Sequence, residues 1–202
     1  MKGKMRSFVC SLATAAIVGT VVAPTALAEE FTAEGAPETV IGSSWGTHVI
    51  NTNAGSIRCM EASFEGQAEF PISELSLSPS YSSCSFLGIS GVTLETGKCS
   101  YGLHANGGFD IAGAECLMQI TASGCTVKIP SQWGLSTLSY INRGSGSERF
   151  VEMEFYVPSI EYTQSLLCPN GQGTFNNGVY FVGPTDLEAF NLFFEQRGLW
   201  VG

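Results

Sequence analysis

Apolar and polar residues alternate with a period of two over many short stretches of this chain, which is the pattern of half-buried β-strands. The clearest stretch is 149–157, in which one face is wholly apolar: Val151, Met153, Phe155 and Val157. Turn-forming residues, among them many of the 24 glycines, separate these stretches. About nine short strands with frequent turns predict an all-β fold, an antiparallel β-sandwich or barrel.

One segment near the C-terminus departs from the alternation. Thr185 and Glu188 have the spacing of a capping box, in which two side chains satisfy backbone N–H groups at a helix start. Large apolar residues then follow at helical intervals from Leu187 to Phe194. These spacings predict at most one short helix, at about 186–197.

The first 28 residues have the composition of a secretory signal peptide. Three basic residues, an apolar run over 8–23 and an Ala-x-Ala cleavage pattern at 26–28 follow one another there. We expect cleavage near Glu29 and a secreted, extracellular protein, with the cell envelope as the alternative location. An uncleaved anchor is disfavoured because a membrane span needs about 20 strongly apolar residues.

Removal of residues 1–28 leaves six cysteines, an even number in an oxidising compartment. No C-x-x-C pair is present and there are only two histidines, so three disulfides are favoured over a structural zinc site. The stretch 84–125 has the pattern of two hairpins, which predicts that each is closed by its own disulfide. The predicted pairs are Cys84–Cys99, Cys116–Cys125 and, by elimination, Cys59–Cys168.

Charge narrows the range of partners. The whole chain has a formal net charge of −9, and residues 1–28 contribute three basic and no acidic groups to it. The mature chain therefore has six basic against 18 acidic groups, a net charge of −12. Such a surface repels phosphate backbones and anionic lipid headgroups, so no nucleic acid partner and no membrane span after signal removal are expected. The expected partner is an unknown extracellular ligand or surface; the sequence does not indicate an oligomeric state.

Residues 29–46 are acidic and small, with little periodicity, and predict a flexible acidic segment ahead of a single β-domain at 47–202. This segment contains the only match to a nucleophile motif, G-x-S-x-G around Ser44. That motif requires a turn from a strand into a helix, and the residues after Ser44 are β-like. Ser44 is therefore not expected to be catalytic.

Two residues are possible ligand-facing positions. His104 lies close in sequence to Asp110 and could pair with that carboxylate as a general base, although a loop histidine is the simpler interpretation. Trp133 lies in a predicted loop and could line a sugar- or lipid-binding surface, or fold back over the core.

The remaining acidic groups indicate no further chemistry. Glu152 and Glu154 share one strand face about 7 Å apart, but an open polar face lacks the burial that a glycosidase acid needs. The region of Asn106 and Asp110 lacks the alternating oxygen ligands of a calcium loop. The sequence thus predicts no catalytic residue, no cofactor and no metal site.

The framework from Cys59 to Cys168 contains four short elements: YSSC at 81–84, KCSYGL at 98–103, GCTVKIP at 124–130 and IEY at 160–162. In these elements the chain resembles a group of secreted, β-rich bacterial proteins of unassigned function, encoded mostly by high-GC Gram-positive bacteria. The resemblance implies a disulfide-stabilised β-framework and no particular activity.

Two functions follow as hypotheses. The first is an exported, non-catalytic extracellular protein, that is, a binding, envelope-associated or structural module. The alternative is a secreted hydrolase acting on an extracellular polymer or ester. A flat, exposed aromatic patch favours the first, whereas His104 grouped with a carboxylate and a hydroxyl in one concave site favours the second.

Overall fold

A computed structural model describes residues 29–35, 38–135 and 138–202. The expected signal peptide, residues 1–28, lies outside the described residues. Those described form strands and one 3₁₀ turn, Gly146–Glu148, with no α-helix among them. The first strands are β1 Phe31–Ala33, β2 Glu38–Ser44, β3 His48–Thr52, β4 Gly55–Ala68, β5 Glu74–Phe86, β6 Ile89–Val92, β7 Leu94–Glu95 and β8 Ser100–His104. The others are β9 Phe109–Ala112, β10 Leu117–Ala122, β11 Cys125–Pro130, β12 Gln132–Leu135, β13 Leu138–Arg143, β14 Phe150–Gln164, β15 Gly173–Phe190, β16 Gln196–Arg197 and β17 Leu199–Val201.

Fifteen of these strands form one antiparallel sheet. Its main path runs β12-β9-β8-β5-β4-β2-β15-β14-β11-β10-β7, with β3, β6, β13 and β16 paired beside it. β2 and β3 act as one interrupted strand, since both pair with β4 on one side and β15 on the other. β1 and β17 form a separate two-stranded sheet. The sandwich- or barrel-like antiparallel arrangement predicted from the alternation is confirmed.

The core lies where the sheet folds over itself and aromatic rings from distant strands meet. Phe109 on β9 packs edge-on against Phe155 on β14, with ring centroids 5.2 Å apart. Phe64 on β4 lies 5.8 Å from Tyr101 on β8. The predicted apolar face of β14 is confirmed, because its residues at 151, 153, 155 and 157 are all buried. Burying each such side chain contributes about 1.5–3 kcal/mol.

The segment 29–46 differs from the flexible segment that its composition predicted. β2 lies inside the main sheet, hydrogen bonded to both β4 and β15. Val40 is fully buried, and a Cβ atom on Gly42 would come within 2.9 Å of both Leu187 and Phe64. The acidic composition did not indicate a strand because only the inward-facing residues of a central strand, which are every second residue, need to be small or apolar.

The predicted helix at 186–197 is wrong. Residues up to Phe190 continue β15, a turn follows at 191–195, and Gln196–Arg197 returns as β16. Leu187 and Ala189 are buried, which is the period of a strand. A strand forms here because β2 and β14 lie on either side of this segment and satisfy its backbone hydrogen-bonding groups. At the start of a helix, the capping box would have had to satisfy the first N–H groups instead.

The six cysteines among the described residues form three disulfides, as predicted, but the predicted pairing is wrong. The pairs are Cys59–Cys84, Cys99–Cys116 and Cys125–Cys168. Cys59 and Cys84 lie directly opposite each other on β4 and β5. Cys99 directly precedes β8 and Cys116 follows β9, so their disulfide joins the open end of the β8–β9 hairpin. Cys125 is the first residue of β11, which pairs with the end of β14 just before Cys168. The three disulfides therefore join successive cysteines of the described residues, and strand pairing selects this set over the predicted one.

Candidate functional site

Three adjacent strands bring one histidine and two carboxylates together on the outer face of the sheet. Glu74 on β5 is the register partner of His104 on β8, and Asp110 on the next strand, β9, is paired with Gly102. Their neighbours in the chain point inward and are fully or almost fully buried: Leu75, Leu103, Phe109 and Ile111. Side-chain alternation therefore directs the three polar groups outward, and we call them the His104 cluster.

The imidazole of His104 lies close to both carboxylates. Its Nε2 atom is 2.9 Å from Oδ2 of Asp110, and its Nδ1 atom is 3.8 Å from Oε2 of Glu74. The other oxygen of Asp110 accepts a hydrogen bond from the backbone N–H of Gly134 at 2.6 Å. Within the described residues, no serine or threonine hydroxyl hydrogen bonds to this imidazole. The arrangement can hold a proton or a cation, and it lacks an activated nucleophile of the Ser–His type.

The pairing of His104 with Asp110 was foreseen as one possibility from the sequence, whereas Glu74 was missed. The alternation of residues 74–78 placed Glu74 on the outer face, and that signal is a local one. Which strand lies next to β5 is not a local property, because β6 and β7 separate β5 from β8 in the chain and the two meet through tertiary pairing.

Trp133 lies on β12, next to the His104 cluster, and 67% of its surface is exposed. A register shift between Gln132 and Leu135 places Trp133 and Gly134 opposite Asp110 on β9. The two residues predicted to face a ligand, His104 and Trp133, thus come from the strands on either side of Asp110. Their role in ligand binding stays a prediction.

A second exposed surface lies on the long strands β14 and β15. Tyr156 and Phe181 are direct cross-strand partners, and 59% and 51% of their respective surfaces are exposed. The same row continues through Val49 on β3 to Arg58 on β4. We call Tyr156 and Phe181 the aromatic platform, since adjacent strands present both side chains on one face of the sheet.

Polar groups border the aromatic platform. A shallow depression of about 170 Å³ lies beside it, and its lining includes the carboxylate residue Glu154 and the hydroxyl residue Ser139. Further along the same face, Trp45 is largely exposed and donates from Nε1 to Oδ2 of Asp186 at 2.7 Å. Asp186 is the register partner of Glu152, which lies four residues before Tyr156 on β14. The exposed face with Trp45 at one end and the aromatic platform at the other therefore extends about 14 Å along β14.

The local contacts of Ser44 are those of a strand end. Its hydroxyl donates to the carbonyl of Gly46 at 3.0 Å and accepts from the N–H of Gly46 at 3.2 Å. The nearest histidine in sequence, His48, is buried and bonded to Tyr180. Ser44 therefore lacks the strand-to-helix turn and the histidine base that its motif would require.

The two strand glutamates are not a matched pair. Glu152 forms an ion pair with Arg143 at 2.9 Å, whereas Glu154 is exposed beside the aromatic platform. The two carboxyl groups therefore have different surroundings on one open strand face, unlike the pair that flanks the scissile bond in a glycosidase.

No family model matches this chain, and no curated protein or solved structure matches it either.

Proposed function

We propose that this chain is an exported, non-catalytic protein that binds a neutral polysaccharide on the face formed by the aromatic platform. The observation that carries the proposal is the exposed cross-strand pair of Tyr156 and Phe181. Large exposed apolar groups next to each other on a protein surface mark interaction sites more often than isolated ones do.

The chemistry around this pair favours a sugar polymer. Aromatic rings offer flat apolar surfaces to the C–H faces of sugar rings. Carboxylates accept hydrogen bonds from sugar hydroxyls, and protein hydroxyls both donate to them and accept from them. Glu154 and Ser139 supply those polar groups beside the platform, and Trp45 adds a third ring further along. A face about 14 Å long suits several units of a polymer better than a single sugar.

Charge disfavours the other ligands that stack on aromatic residues. Single-stranded nucleic acids are held by positively charged grooves, and anionic lipid surfaces need clustered lysine or arginine. The chain carries 18 acidic against nine basic residues, three of which belong to the expected signal peptide. A neutral polymer has no charge for this surface to repel.

Export is the second part of the proposal. Three disulfides are compatible with an oxidising extracellular location. The described part of the chain contains no helix that is both long and apolar enough to cross a membrane. N-terminal sequencing of protein recovered from the culture medium should give a start near Glu29; recovery of the intact Met1 form in the cell membrane would contradict export.

Binding is tested by co-sedimentation with the insoluble neutral polymers cellulose, chitin and xylan. We expect retention on at least one polymer and a loss of about tenfold or more in affinity in the double variant Tyr156→Ala, Phe181→Ala. The matched control is Phe193→Ala, because Phe193 is also exposed but lies in the turn between β15 and β16. Absence of binding to every polymer, or equal binding by the double variant, would refute the proposal.

A secreted hydrolase is the second candidate, and the His104–Asp110 pair is the observation in its favour. Chromogenic esters and glycosides test it directly. Turnover by the parent protein that His104→Ala abolishes without unfolding would support a hydrolase, and a lack of turnover would leave the binding function as the better account.

A further inference from the structure

We propose that the His104 cluster binds one divalent transition-metal ion, of which Zn²⁺ fits the donor set best. Glu74, His104 and Asp110 each offer one ligand atom, and these atoms all lie within 4.8 Å of one another. The proposal is independent of polysaccharide binding, since the cluster lies on β5, β8 and β9 and the aromatic platform on β14 and β15.

The charges of the cluster call for a cation. Two carboxylates face one imidazole, and within the described residues their only ion-pair partner is that imidazole. Asp110 is mostly buried, with 14% of its side chain exposed, so water compensates its charge only in part. A neutral imidazole with two carboxylates would balance the charge of one divalent ion.

Gly102 keeps the space between the two carboxylates open. It lies on β8, on the same outward face as His104, and is paired with Asp110. A Cβ atom at this position would lie 2.8 Å from Oε1 of Glu74 and 3.6 Å from Oδ2 of Asp110. Any larger residue would therefore occupy the gap that separates the two acidic groups.

The surrounding backbone holds the donors in place. The N–H of Gly134 is bonded to Oδ1 of Asp110, which leaves Oδ2 directed at the cluster. Outer hydrogen bonds of this kind orient metal-binding carboxylates. The backbone of His104 is held by two hydrogen bonds. Its carbonyl accepts one from the hydroxyl of Tyr140 at 3.0 Å, and its backbone N–H donates one to the carbonyl of Gly108 at 3.0 Å. Ligands fixed on paired strands need little ordering when an ion binds.

The donor types select the ion. Ca²⁺ and Mg²⁺ prefer cages made of oxygen, whereas Zn²⁺ takes imidazole nitrogen together with carboxylate oxygen. Three protein ligands leave a coordination position for water, and Glu74 and His104 are both accessible to it. The geometry therefore points to a surface zinc site with an open position.

The test is isothermal titration of Zn²⁺ into the mature, disulfide-bonded protein after treatment with a chelator. We expect one ion per chain, a rise in the unfolding temperature with Zn²⁺, and a change in the NMR signals of the His104 imidazole nitrogens. His104→Gln and Asp110→Asn each change a proposed ligand, so Zn²⁺ affinity should fall in both. The fall should exceed the 10- to 100-fold loss that removal of an outer hydrogen bond typically causes.

Two controls keep the result interpretable. Glu115→Gln removes an exposed carboxylate from another part of the surface and should leave Zn²⁺ affinity unchanged. Gly102→Ala keeps all three ligands but fills the gap, and it should weaken binding while the circular dichroism of the strands is retained. No stoichiometric Zn²⁺ binding, or equal affinity in His104→Gln and the parent, would overturn the proposal. Equal affinities for Ca²⁺ and Zn²⁺ would also overturn it, because they would show general attraction to an acidic surface.

Discussion

The Nδ1 atom of His48 lies 2.9 Å from the hydroxyl of Tyr180, and both side chains are buried in the core. The Tyr180 hydroxyl is in turn 2.7 Å from that of Tyr81, which lies 2.6 Å from the hydroxyl of Tyr101. Among the described residues, Nε2 of His48 has no hydrogen-bond partner. Because burial disfavours the charged imidazolium, the pKa of His48 is lowered from 6.5 to about 4.

This shift predicts a loss of stability in mild acid. Between pH 6.5 and 4 the unfolded chain binds a proton at His48 that the folded chain does not, so the free energy of unfolding falls as the pH falls. The stabilisation is fully present above pH 6.5, and about 3 kcal/mol is lost by pH 4. Urea unfolding at pH 7 and pH 4 measures this loss.

The variant His48→Gln isolates this contribution from that of the other titrating groups. Its own stability should be lower at pH 7, but it should lose about 3 kcal/mol less than the parent between pH 7 and 4. The same pH dependence in both proteins would show that His48 does not titrate in this interval.

The tyrosine network predicts that Tyr81 contributes more to the stability of the fold than burial of its apolar surface alone would give. Tyr81→Phe removes the hydroxyl that links Tyr101 and Tyr180, and leaves two buried hydroxyls with fewer partners. The expected cost is about 1–3 kcal/mol by chemical denaturation. Tyr156→Phe is the control, since this hydroxyl belongs to an exposed side chain, and no change is expected. Equal stabilities of the two variants would contradict a stabilising network.

Disulfide mapping tests the strand pairing directly. Peptides cut from the oxidised protein should contain the pairs Cys59–Cys84, Cys99–Cys116 and Cys125–Cys168. A peptide joining Cys84 to Cys99 would contradict the register of β4 and β5, which places Cys84 opposite Cys59.

The three disulfides should also differ in their contribution to stability. They close loops of 25, 17 and 43 residues respectively. Loss of loop entropy in the unfolded chain corresponds to about 3 kcal/mol for the shortest loop and about 4 kcal/mol for the longest. Removing both cysteines of the Cys125–Cys168 pair should therefore lower the urea midpoint more than removing Cys99 and Cys116. The reverse order would show that effects in the folded state outweigh loop closure.

Ser44→Ala should weaken the fold slightly without affecting any activity. In a flexible segment, which the composition of residues 29–46 predicted, this hydroxyl would have no structural role. In the structure, however, it makes two hydrogen bonds to Gly46 at the junction of β2 and β3. Their loss should cost about 1 kcal/mol in thermal or urea unfolding. Loss of hydrolytic activity in a folded Ser44→Ala protein would mean that Ser44 is catalytic after all.

Side-chain alternation makes most of the strands recognisable from local sequence. In β14 the inward and outward residues from Phe150 to Val157 follow directly from a period of two, because successive side chains of a strand point to opposite faces. The same local rule places Tyr156 and Glu154 outside. It failed at 186–190, where apolar residues also matched a helical spacing and the neighbouring strands decided the outcome.

The sequence by itself determined the all-β class, the inward faces of the strands, the acidic charge and the presence of three disulfides, because composition and period two are local properties. Only the tertiary structure decided which cysteines pair, that β2 lies within the sheet, and that Glu74 meets His104 and Asp110. These features depend on which strands become neighbours. The entropy of closing a loop changes only slowly with its length, so distance along the chain hardly distinguishes one possible partner from another. Packing of the whole sheet makes that choice.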